Sequence, residues 1–196
     1  MEKLASRLEG ELVVLEPLRE DHAEELWEAA QAPEIWEWLT NVGADREIFA
    51  EFMRVSLAAT VEGREGVFVV RRRADGAVVG SSRYLNVRPG DRVVEIGWTW
   101  FNPSAWRSGV NVETKLLLIE HAFGTLDCVR VEFKTDARNK RSRGALGALP
   151  AQFEGILRNH MIVPGVGQRD SAYFSVIPSE WPEVRANLQR RLAARR

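Results

Sequence analysis

The sequence predicts a mixed α/β fold of the α+β type, in which a mostly antiparallel sheet is flanked by helices. Asp75-Gly76 is a strong hairpin dipeptide between two β-rich segments, and a third β-rich segment follows the turn "RPGD". A long segment with an apolar helical face then leads into "VRVEFKTD", where apolar and polar residues alternate strictly. These patterns predict a three-stranded antiparallel meander and one helical crossover between two strands.

The first third of the chain is predicted to form one strand and two helices. "ELVVLE" at 11–16 is a short β-rich run that Pro17 ends. The next segment has an acidic first turn and apolar residues at helical spacing, with Asp21 as a candidate N-cap. A second helix is expected at 45–61, where apolar residues recur at Ile48, Phe49, Phe52, Val55 and Leu57.

The second half of the chain contains the longest helical pattern. In residues 111–126, apolar side chains recur every three or four positions, at Val112, Leu116, Ile119, Phe123 and Leu126. A weaker helix is expected near 141–149, because Gly144 and Gly147 lower its helix propensity. "SAYFSVI" is predicted to be a late strand, and residues from about 179 to 196 a C-terminal helix with a basic end.

Composition limits the class of protein. The chain has 196 residues, of which 45% are hydrophobic, and its formal net charge is -1 at pH 7. This size suits a single domain over residues 1–196, and the balanced charge argues against a nucleic-acid or membrane partner. The N-terminus has no long apolar run, so we expect a cytoplasmic protein. The one cysteine, Cys128, cannot form an internal disulfide and is expected to be buried rather than a catalytic thiol.

The loop between the third strand of the meander and the long helix is a candidate binding site. Arg107 adds a positive charge, Ser108 adds a hydroxyl donor, and Gly109 lets the backbone approach a ligand. Because a helix N-terminus leaves N–H groups unpaired, this loop, which we expect at the surface, is a candidate phosphate cradle. The alternative is that Gly109 is only a turn residue before a capped helix. Neither a P-loop nor a dinucleotide-binding glycine pattern is present.

Residues 106–113 read Trp-Arg-Ser-Gly-Val-Asn-Val-Glu, and Asn139 and Ser142 follow directly after the alternating strand. In these motifs the chain resembles the GNAT acetyltransferase superfamily, and within it the branch of ribosomal-protein N-terminal alanine and serine acetyltransferases. The superfamily signature is Gln/Arg-x-x-Gly-x-Gly/Ala, so Trp106 and Asn111 depart from it. Segments along nearly the whole chain also resemble this branch, including "LVVLEPLREDHAEELWEAA" and "RDSAYFSVI".

The resemblance implies the GNAT acyl-CoA N-acyltransferase fold, with acetyl-CoA as the acyl donor and no metal. It places the CoA phosphates at the loop, on Arg107, Ser108, Gly109, Val110 and Asn111. The backbone of a splayed strand at 96–101, which includes Trp98 and Trp100, would pair with the pantetheine arm. Asn139 would bridge to the pantetheine amides, and the alternative is that it is only a turn residue at the end of the strand. The basic residues around it either contact the CoA phosphates or form a solvated face: Arg138, Lys140, Arg141 and Arg143.

Acyl transfer to an amine requires two proton transfers, and three side chains are candidates for them. Glu95 lies where the superfamily often has a general base, and the alternative is a solvated carboxylate. Ser142 is the candidate acid for the leaving thiolate, or it only packs against the ligand. His160 is a second candidate base, with an ordinary pKa of about 6.5, or a satisfied surface histidine. Many relatives have a tyrosine acid where this chain has Leu146.

These observations predict an N-acetyltransferase that moves an acetyl group from acetyl-CoA to a primary amine. The acceptor is either a protein N-terminus or a small molecule. Transfer of a longer acyl group such as succinyl is a further alternative. Assembly as a homodimer is also possible on the sequence. The alternative class is a CoA-binding module without acyl transfer, which the missing tyrosine permits. The three histidines are too scattered along the chain to argue for a metal site.

Overall fold

The computed structural model describes residues 4–39, 43 and 45–195. Within these residues one sheet has the strand order β1-β2-β3-β4-β5-β6-β8-β7. Its strands are β1 Leu8–Glu9, β2 Val13–Pro17, β3 Gly66–Arg72, β4 Val78–Arg88, β5 Val93–Phe101, β6 Arg130–Asp136, β7 Gln152–Val163 and β8 Gly167–Val176. The helices are α1 Ala23–Ala29, α2 Arg46–Val61, α3 Val110–Gly124, α4 Lys140–Ala148 and α5 Trp181–Ala193.

The predicted meander is formed by β3, β4 and β5, which pair antiparallel. Gly76 has a φ of 72° in the turn between β3 and β4, a conformation that glycine adopts without strain. The other described pairs are also antiparallel, except that β5 pairs with β6 in parallel. The parallel pair is joined by α3, as expected for a helical crossover. The predicted mostly antiparallel sheet flanked by helices is therefore confirmed.

The parallel pair β5–β6 is short. Its register includes Val93 with Arg130, Val94 with Val131, and Glu95 with Glu132, and the pairing ends there. Beyond Glu95 and Glu132 the two strands separate, while β4 continues to pair with β5 and β8 with β6. The opening between residues 96–101 of β5 and residues 133–136 of β6 is called the wedge below.

Apolar side chains cover both faces of the sheet. One buried cluster lies under α3 and includes Tyr84, Ile96, Leu118, Ile119 and Phe133. A second cluster lies on the opposite face under α1 and α2, and includes Trp36, Phe49, Met53, Val69 and Trp100. This layered packing holds the two diverging strands between helices, so the wedge is a fixed part of the fold.

The second helix, expected at 45–61, is α2, and the two helices of this region begin differently. Asp45 caps α2, because its carboxylate accepts the backbone N–H of Glu47 at 2.7 Å. Asp21 does not cap the first helix, so that prediction is wrong. It lies inside a 3₁₀ turn, Glu20–His22, that precedes α1. The turn is closed by His22, whose Nδ1 accepts the backbone N–H of Arg19 at 3.2 Å.

The C-terminal half largely follows the expected pattern. The helix predicted from about 179 is α5, and residue 196 lies outside the described residues. Cys128 is buried, and burial raises the pKa of its thiol, which agrees with a packing role. Across the described part of the chain, every helix is too short or too polar to cross a bilayer.

Candidate functional site

The wedge leaves one edge of β5 without a strand partner at residues 96–101. Along β5, Gly97, Trp98 and Thr99 are half-buried, whereas the residues on either side are buried. Trp98 has a φ of 47°, next to a shift in the β4–β5 register between Ser81 and Arg83. Such a bulge turns backbone groups away from the regular ladder. The wedge can therefore accept an extended ligand as an additional strand.

The side chains of Trp98 and Trp100 do not point into the wedge. The Trp98 ring packs on Phe52, with centroids 5.8 Å apart. Trp100 is 3% exposed and lies 5.4 Å from the ring of Trp36 in the cluster under α1 and α2. The contribution of these two residues to ligand binding is thus restricted to their backbone groups.

The loop before α3 has an irregular backbone. Arg107 has a φ of 62° and Gly109 a φ of 95°. The Ser108 hydroxyl donates to the carbonyl oxygen of Ala105 at 2.6 Å, and its oxygen lies 3.4 Å from the backbone nitrogen of Val110. The Ser108 side chain therefore makes hydrogen bonds within the loop and stabilises its conformation. The Val110 N–H thus has an acceptor in Ser108, whereas the N–H groups of Asn111 and Val112 have none within the helix and can bind an anion.

The expectation that this loop lies at the surface holds for Arg107 and Ser108 but not for Gly109, which is buried. A Cβ atom at position 109 would lie 2.9 Å from Leu12 Cδ1 and 3.5 Å from Leu192 Cδ2. The chain before β2 and helix α5 pack over this position, which the sequence pattern could not show. Arg107, Ser108 and Asn111 remain exposed, whereas Val110 is buried.

Glu113 anchors the first turn of α3. Its buried carboxylate accepts backbone N–H groups from Glu11 at 2.9 Å, Leu12 at 2.7 Å and Val13 at 2.8 Å. A carboxylate with several backbone donors is well satisfied although it is buried. The glutamate at the end of the sequence motif therefore has a structural role, and it fixes the loop against β2.

Asn139 and Ser142 begin helix α4. Asn139 is 6% exposed, and its Oδ1 accepts the backbone N–H of Ser142 at 2.9 Å, which makes it the N-cap. The Nδ2 group has no hydrogen bond to another described residue, so it is available to a ligand. Ser142 is half-buried, and Leu146 is buried in the core under α3. Position 146 therefore offers no proton donor.

The basic cluster near Asn139 is partly used within the protein. Arg138 pairs with Asp136 at 2.8 Å, and Arg143 donates to the carbonyl oxygen of Ala137 at 3.1 Å. The Arg141 guanidinium lies 5.1 Å from the centre of the Trp106 ring. Arg141 therefore stands beside the loop before α3, whereas Arg138 and Arg143 stabilise the turn into α4.

Glu95 is buried, not solvated, with 3% of its surface exposed. Its Oε2 accepts a hydrogen bond from Asn86 Nδ2 at 2.7 Å and lies 3.5 Å from Lys134 Nζ. Asn86 has a φ of 47°, at an irregularity in the pairing of β4 with β5. A Cβ atom at Gly97 would lie 2.9 Å from Leu85 Cδ2 and 3.2 Å from Glu95 Oε1, so the glycine allows these two side chains to pack close to the strand. Glu95 and Gly97 share one face of β5, as expected for residues two apart on a strand.

His160, the second candidate base, has two hydrogen-bond partners on strand β8. Its Nδ1 lies 3.0 Å from Ser171 Oγ, and its Nε2 lies 3.2 Å from the Tyr173 hydroxyl. Burial, and then the nearby Lys134 and Arg169 cations, lower the pKa of His160. Burial and the Glu95 carboxylate raise the pKa of Tyr173. The imidazole is therefore neutral and the phenol protonated near neutral pH.

A cleft of about 480 Å³ opens over Glu95. Its rim is held by an ion pair between Arg88 and Glu132 at 3.0 Å. The residues that line the cleft are Asn86, Val87, Arg88, Glu95, Glu132, Leu157 and Tyr173. The cleft lies on the face of the sheet opposite α3, so a second substrate can approach Glu95 from that face.

Four polar residues of this region were not predicted from the sequence. Lys134 and Tyr173 pair in register on β6 and β8, and the alternation of "VRVEFKTD" could have placed Lys134 on the face of Glu95. Lys115 on α3 reaches the wedge and donates to Thr99 Oγ1 at 2.9 Å. It is a charged residue within an apolar run, which is a weak sequence signal. The contact of Asn86 with Glu95 has no sequence signal.

Comparison with known proteins extends these observations. The family model of the acetyltransferase (GNAT) domain matches residues 13–151. The structure of a GCN5-related N-acetyltransferase from Brucella melitensis is 32% identical with a TM-score of 0.87, covering 94% of this chain and 84% of that chain. A protein from T. thermophilus that is described as an acetyltransferase is 34% identical with a TM-score of 0.83, covering 98% of this chain and 100% of that chain.

A more distant likeness is to Mycobacterium smegmatis RimJ in complex with CoA-disulfide. It is 24% identical with a TM-score of 0.77, covering 93% of this chain and 90% of that chain, which is a likeness in fold. No curated protein sequence gives a significant match.

Two of these findings decide the family. The domain model covers more than half of the chain, and the Brucella melitensis structure is 32% identical across 94% of it. The resemblance predicted from residues 106–113, Asn139 and Ser142 is confirmed, and the likeness to RimJ agrees in fold with the predicted branch. The chain belongs to the GNAT acetyltransferase family.

Proposed function

We propose that this protein transfers an acetyl group from acetyl-CoA to a primary amine. The observation that carries the proposal is the wedge: β5 and β6 pair as far as Glu95 and Glu132 and then separate. The separation leaves backbone donors and acceptors at 96–101 for an extended arm, which would bind as an added strand. Strand β5 runs from Glu95 past the wedge to Phe101 and leads into the loop before α3, so one extended arm along it would reach from the loop towards Glu95.

The proposed binding of acetyl-CoA rests on positive charge and on N–H groups without a partner in the protein. Arg107 is exposed beside the first N–H groups of α3, and Arg141 lies close by through its contact with Trp106. Helix N-termini and arginines both favour phosphate. Asn139 Nδ2 would bind a carbonyl oxygen of the pantetheine arm. These residues fit the phosphates and the amides of CoA.

The acceptor side rests on Glu95 and its cleft. Acetyl-CoA supplies an activated acyl group, and the protein has to orient the amine and remove its proton. Glu95 is held by Asn86 and lines the cleft, where it would take this proton directly or through water. A backbone N–H near the bulge at Trp98 would stabilise negative charge on the thioester oxygen.

The chemistry of the amine favours an α-amino group as acceptor. An α-amine, with a pKa of about 7.7–8.0, is roughly 10% neutral at pH 7, whereas a lysine amine with a pKa of about 10.4 is less than about 0.1% neutral. Because the neutral form is the nucleophile, an N-terminal amine needs less assistance from Glu95. A protein N-terminus or a small α-amino compound is therefore the proposed acceptor class.

The test is thioester consumption with a panel of amines, with the product identified by mass spectrometry. The panel pairs peptides that have free N-termini with the same peptides after N-terminal blocking, and it compares acetyl-CoA with succinyl-CoA. We expect acetylation of the free N-termini and faster reaction with acetyl-CoA. CoA binding in calorimetry without thiol release from any pair would contradict the proposal and identify a CoA-binding module.

A further inference from the structure

Lys115 lies in the wedge, and none of the roles described above uses it. Its Nζ donates to Thr99 Oγ1 on β5 at 2.9 Å and lies 5.5 Å from the centre of the Phe133 ring on β6. Thr99 Oγ1 lies 2.7 Å from Ser82 Oγ on β4. The amine is therefore held at a defined level of the wedge, with a strand on each side.

The surroundings of this amine contain no counter-charge. Its contacts are the Thr99 hydroxyl, which in turn hydrogen-bonds Ser82, and the Phe133 ring, and no carboxylate of the described residues forms an ion pair with Nζ. Burial lowers the pKa of Lys115 to about 7. An ammonium group in such a place gives up its proton readily near neutral pH, which is the property required of a general acid.

Lys115 and Glu95 reach the wedge from opposite faces of the sheet. α3 packs on the face that carries Ile96, whereas Glu95 and Gly97 lie on the cleft face. With the CoA phosphates at the start of α3 and the acyl group beside Gly97, the sulfur would lie towards Thr99. Gly97 and Thr99 are two residues apart on the strand, at about 3.3 Å per residue. Because the sulfur is bonded directly to the acyl carbon, it would lie between these two residues. The amine of Lys115 contacts Thr99 and therefore lies next to this position of the sulfur.

We propose that Lys115 is the acid that protonates the sulfur of the departing CoA. This inference rests on the proposed acetyl transfer and assigns the role that Leu146 cannot fill. It also competes with the assignment of this role to Ser142. Lys115 differs from Ser142 in carrying a proton that it can lose near neutral pH, whereas a serine hydroxyl is a far weaker acid.

The proposed step is balanced without a further reactant. The acceptor nitrogen forms a bond with the acyl carbon, and the carbon–sulfur bond breaks with its electron pair left on sulfur. The sulfur takes a proton from the Lys115 ammonium, which becomes a neutral amine. Glu95 takes one proton from the acceptor nitrogen, and exchange with solvent returns both side chains to their starting forms.

Two variants separate the charge of Lys115 from its acidity. Lys115→Met removes both, whereas Lys115→Arg keeps the charge but holds its proton near neutral pH. The first measurement needs no turnover: the thiol of bound CoA is titrated through the ultraviolet absorption of its thiolate. We expect the thiol to ionise at lower pH in Lys115→Arg than in Lys115→Met, because an arginine near the sulfur stays charged and favours thiolate. The parent should resemble Lys115→Met, because Lys115, with a pKa of about 7, is largely neutral at the pH where a thiol ionises.

The second measurement is turnover with acetyl-CoA and a reactive amine. We expect kcat to fall about 10²-fold in both Lys115→Met and Lys115→Arg, with little change in CoA affinity. Ser142→Ala should lose much less. A larger loss in Ser142→Ala than in Lys115→Met would overturn the proposal.

Two further results would also overturn it. One is the same thiolate titration in Lys115→Arg and Lys115→Met, which would place the side chain at position 115 away from the sulfur. The other is acetylation of Lys115 itself, seen by intact-mass analysis after incubation with acetyl-CoA, which would make the amine a nucleophile. A parent enzyme that acetylates no amine refutes the proposed function. If the thiolate titrations of Lys115→Arg and Lys115→Met still differ in that case, position 115 lies near the sulfur of bound CoA but Lys115 is not an acid in catalysis, and the proposal is overturned.

Discussion

The carboxylate of Glu113 accepts the backbone N–H of Leu12 at 2.7 Å, and the N–H groups on either side of Leu12 donate to the same carboxylate. This contact ties the first turn of α3 to the start of β2. Leu12 in turn packs on Gly109, where a Cβ atom would lie 2.9 Å from Leu12 Cδ1. The proposed phosphate site is therefore supported by a buried carboxylate that does not itself face the ligand.

Glu113→Ala should destabilise the protein strongly. The change leaves buried N–H groups at residues 11–13 without an acceptor, and each such loss costs about 1–3 kcal/mol. We expect a decrease of roughly 3 kcal/mol in the free energy of unfolding, measured by urea denaturation. The control is Glu120→Ala, which removes a half-buried glutamate of the same helix that pairs with Arg185 at the surface. It should change stability by less than about 1 kcal/mol. Equal effects of the two variants would contradict the anchoring role.

The sequence predicted α3 well because its information is local. Apolar spacing marks the helix face, and Gly109 followed by the helical pattern marks its start. The burial of Gly109 was not predictable, since it results from contacts with Leu12 and with Leu192 of α5. Neither contact leaves a trace in the periodicity of the loop or of α3.

The catalytic side was harder to predict, because it depends on irregular strands. Glu95 could be placed on a strand, but its buried position and its contact with Asn86 depend on the irregular pairing of β4 with β5. Lys115 was predictable as a helical residue only. Its position in the wedge follows from the separation of β5 and β6, which no local pattern determines.

Arg107→Ala should weaken CoA binding without loss of stability. Arg107 is exposed, so its removal leaves no buried group unpaired. Loss of one charge-assisted phosphate contact should weaken the affinity roughly tenfold, or about 1.4 kcal/mol, and the effect should shrink at high salt. Calorimetric titration with CoA at two salt concentrations measures the loss of affinity and its dependence on salt. Arg54→Ala, which removes an exposed arginine of α2, is the control and should bind CoA as the parent does. An unchanged affinity in Arg107→Ala would remove this residue from the cradle.

Asn139 can be tested with a pair of substitutions that separates its two roles. Asn139→Ala removes both the cap of α4, worth about 1 kcal/mol, and the Nδ2 donor. Asn139→Asp keeps an oxygen that accepts the N–H of Ser142 but lacks the donor. We expect the aspartate variant to have the same free energy of unfolding as the parent. Its turnover should be as low as that of the alanine variant, because neither variant can orient the pantetheine arm of CoA through Nδ2. Parent-like turnover in Asn139→Asp would show that Asn139 is only a cap.

The stability of the protein should depend on pH through Lys115. Its pKa is lowered by burial from 10.5 to about 7 in the folded state, so between these values the unfolded chain binds the proton more tightly. Stability therefore rises with pH from about 7 towards 10.5, and it carries the full cost of the buried charge below pH 7. Lys115→Met should be more stable than the parent at pH 7 and below, with a difference that declines as pH rises. Urea midpoints at several pH values measure this, and Lys140→Met, at an exposed lysine, should keep the slope of the parent.

Glu95→Gln tests the proposed base. The amide keeps the size of the side chain and an oxygen for Asn86 Nδ2, which donates at 2.7 Å to the carboxylate, but it cannot accept the proton of the amine. Loss of a general base typically costs about 10²–10⁴-fold in rate. The loss should be largest at low pH, where most of the amine is protonated and a base is needed most. The measurement is kcat/KM against pH for an N-terminal peptide acceptor, with CoA affinity as a check that the wedge is intact. If the profile of Glu95→Gln overlays that of the parent, Glu95 is not the base, and His160, which is neutral near pH 7 because burial lowers its pKa, is the next residue to change.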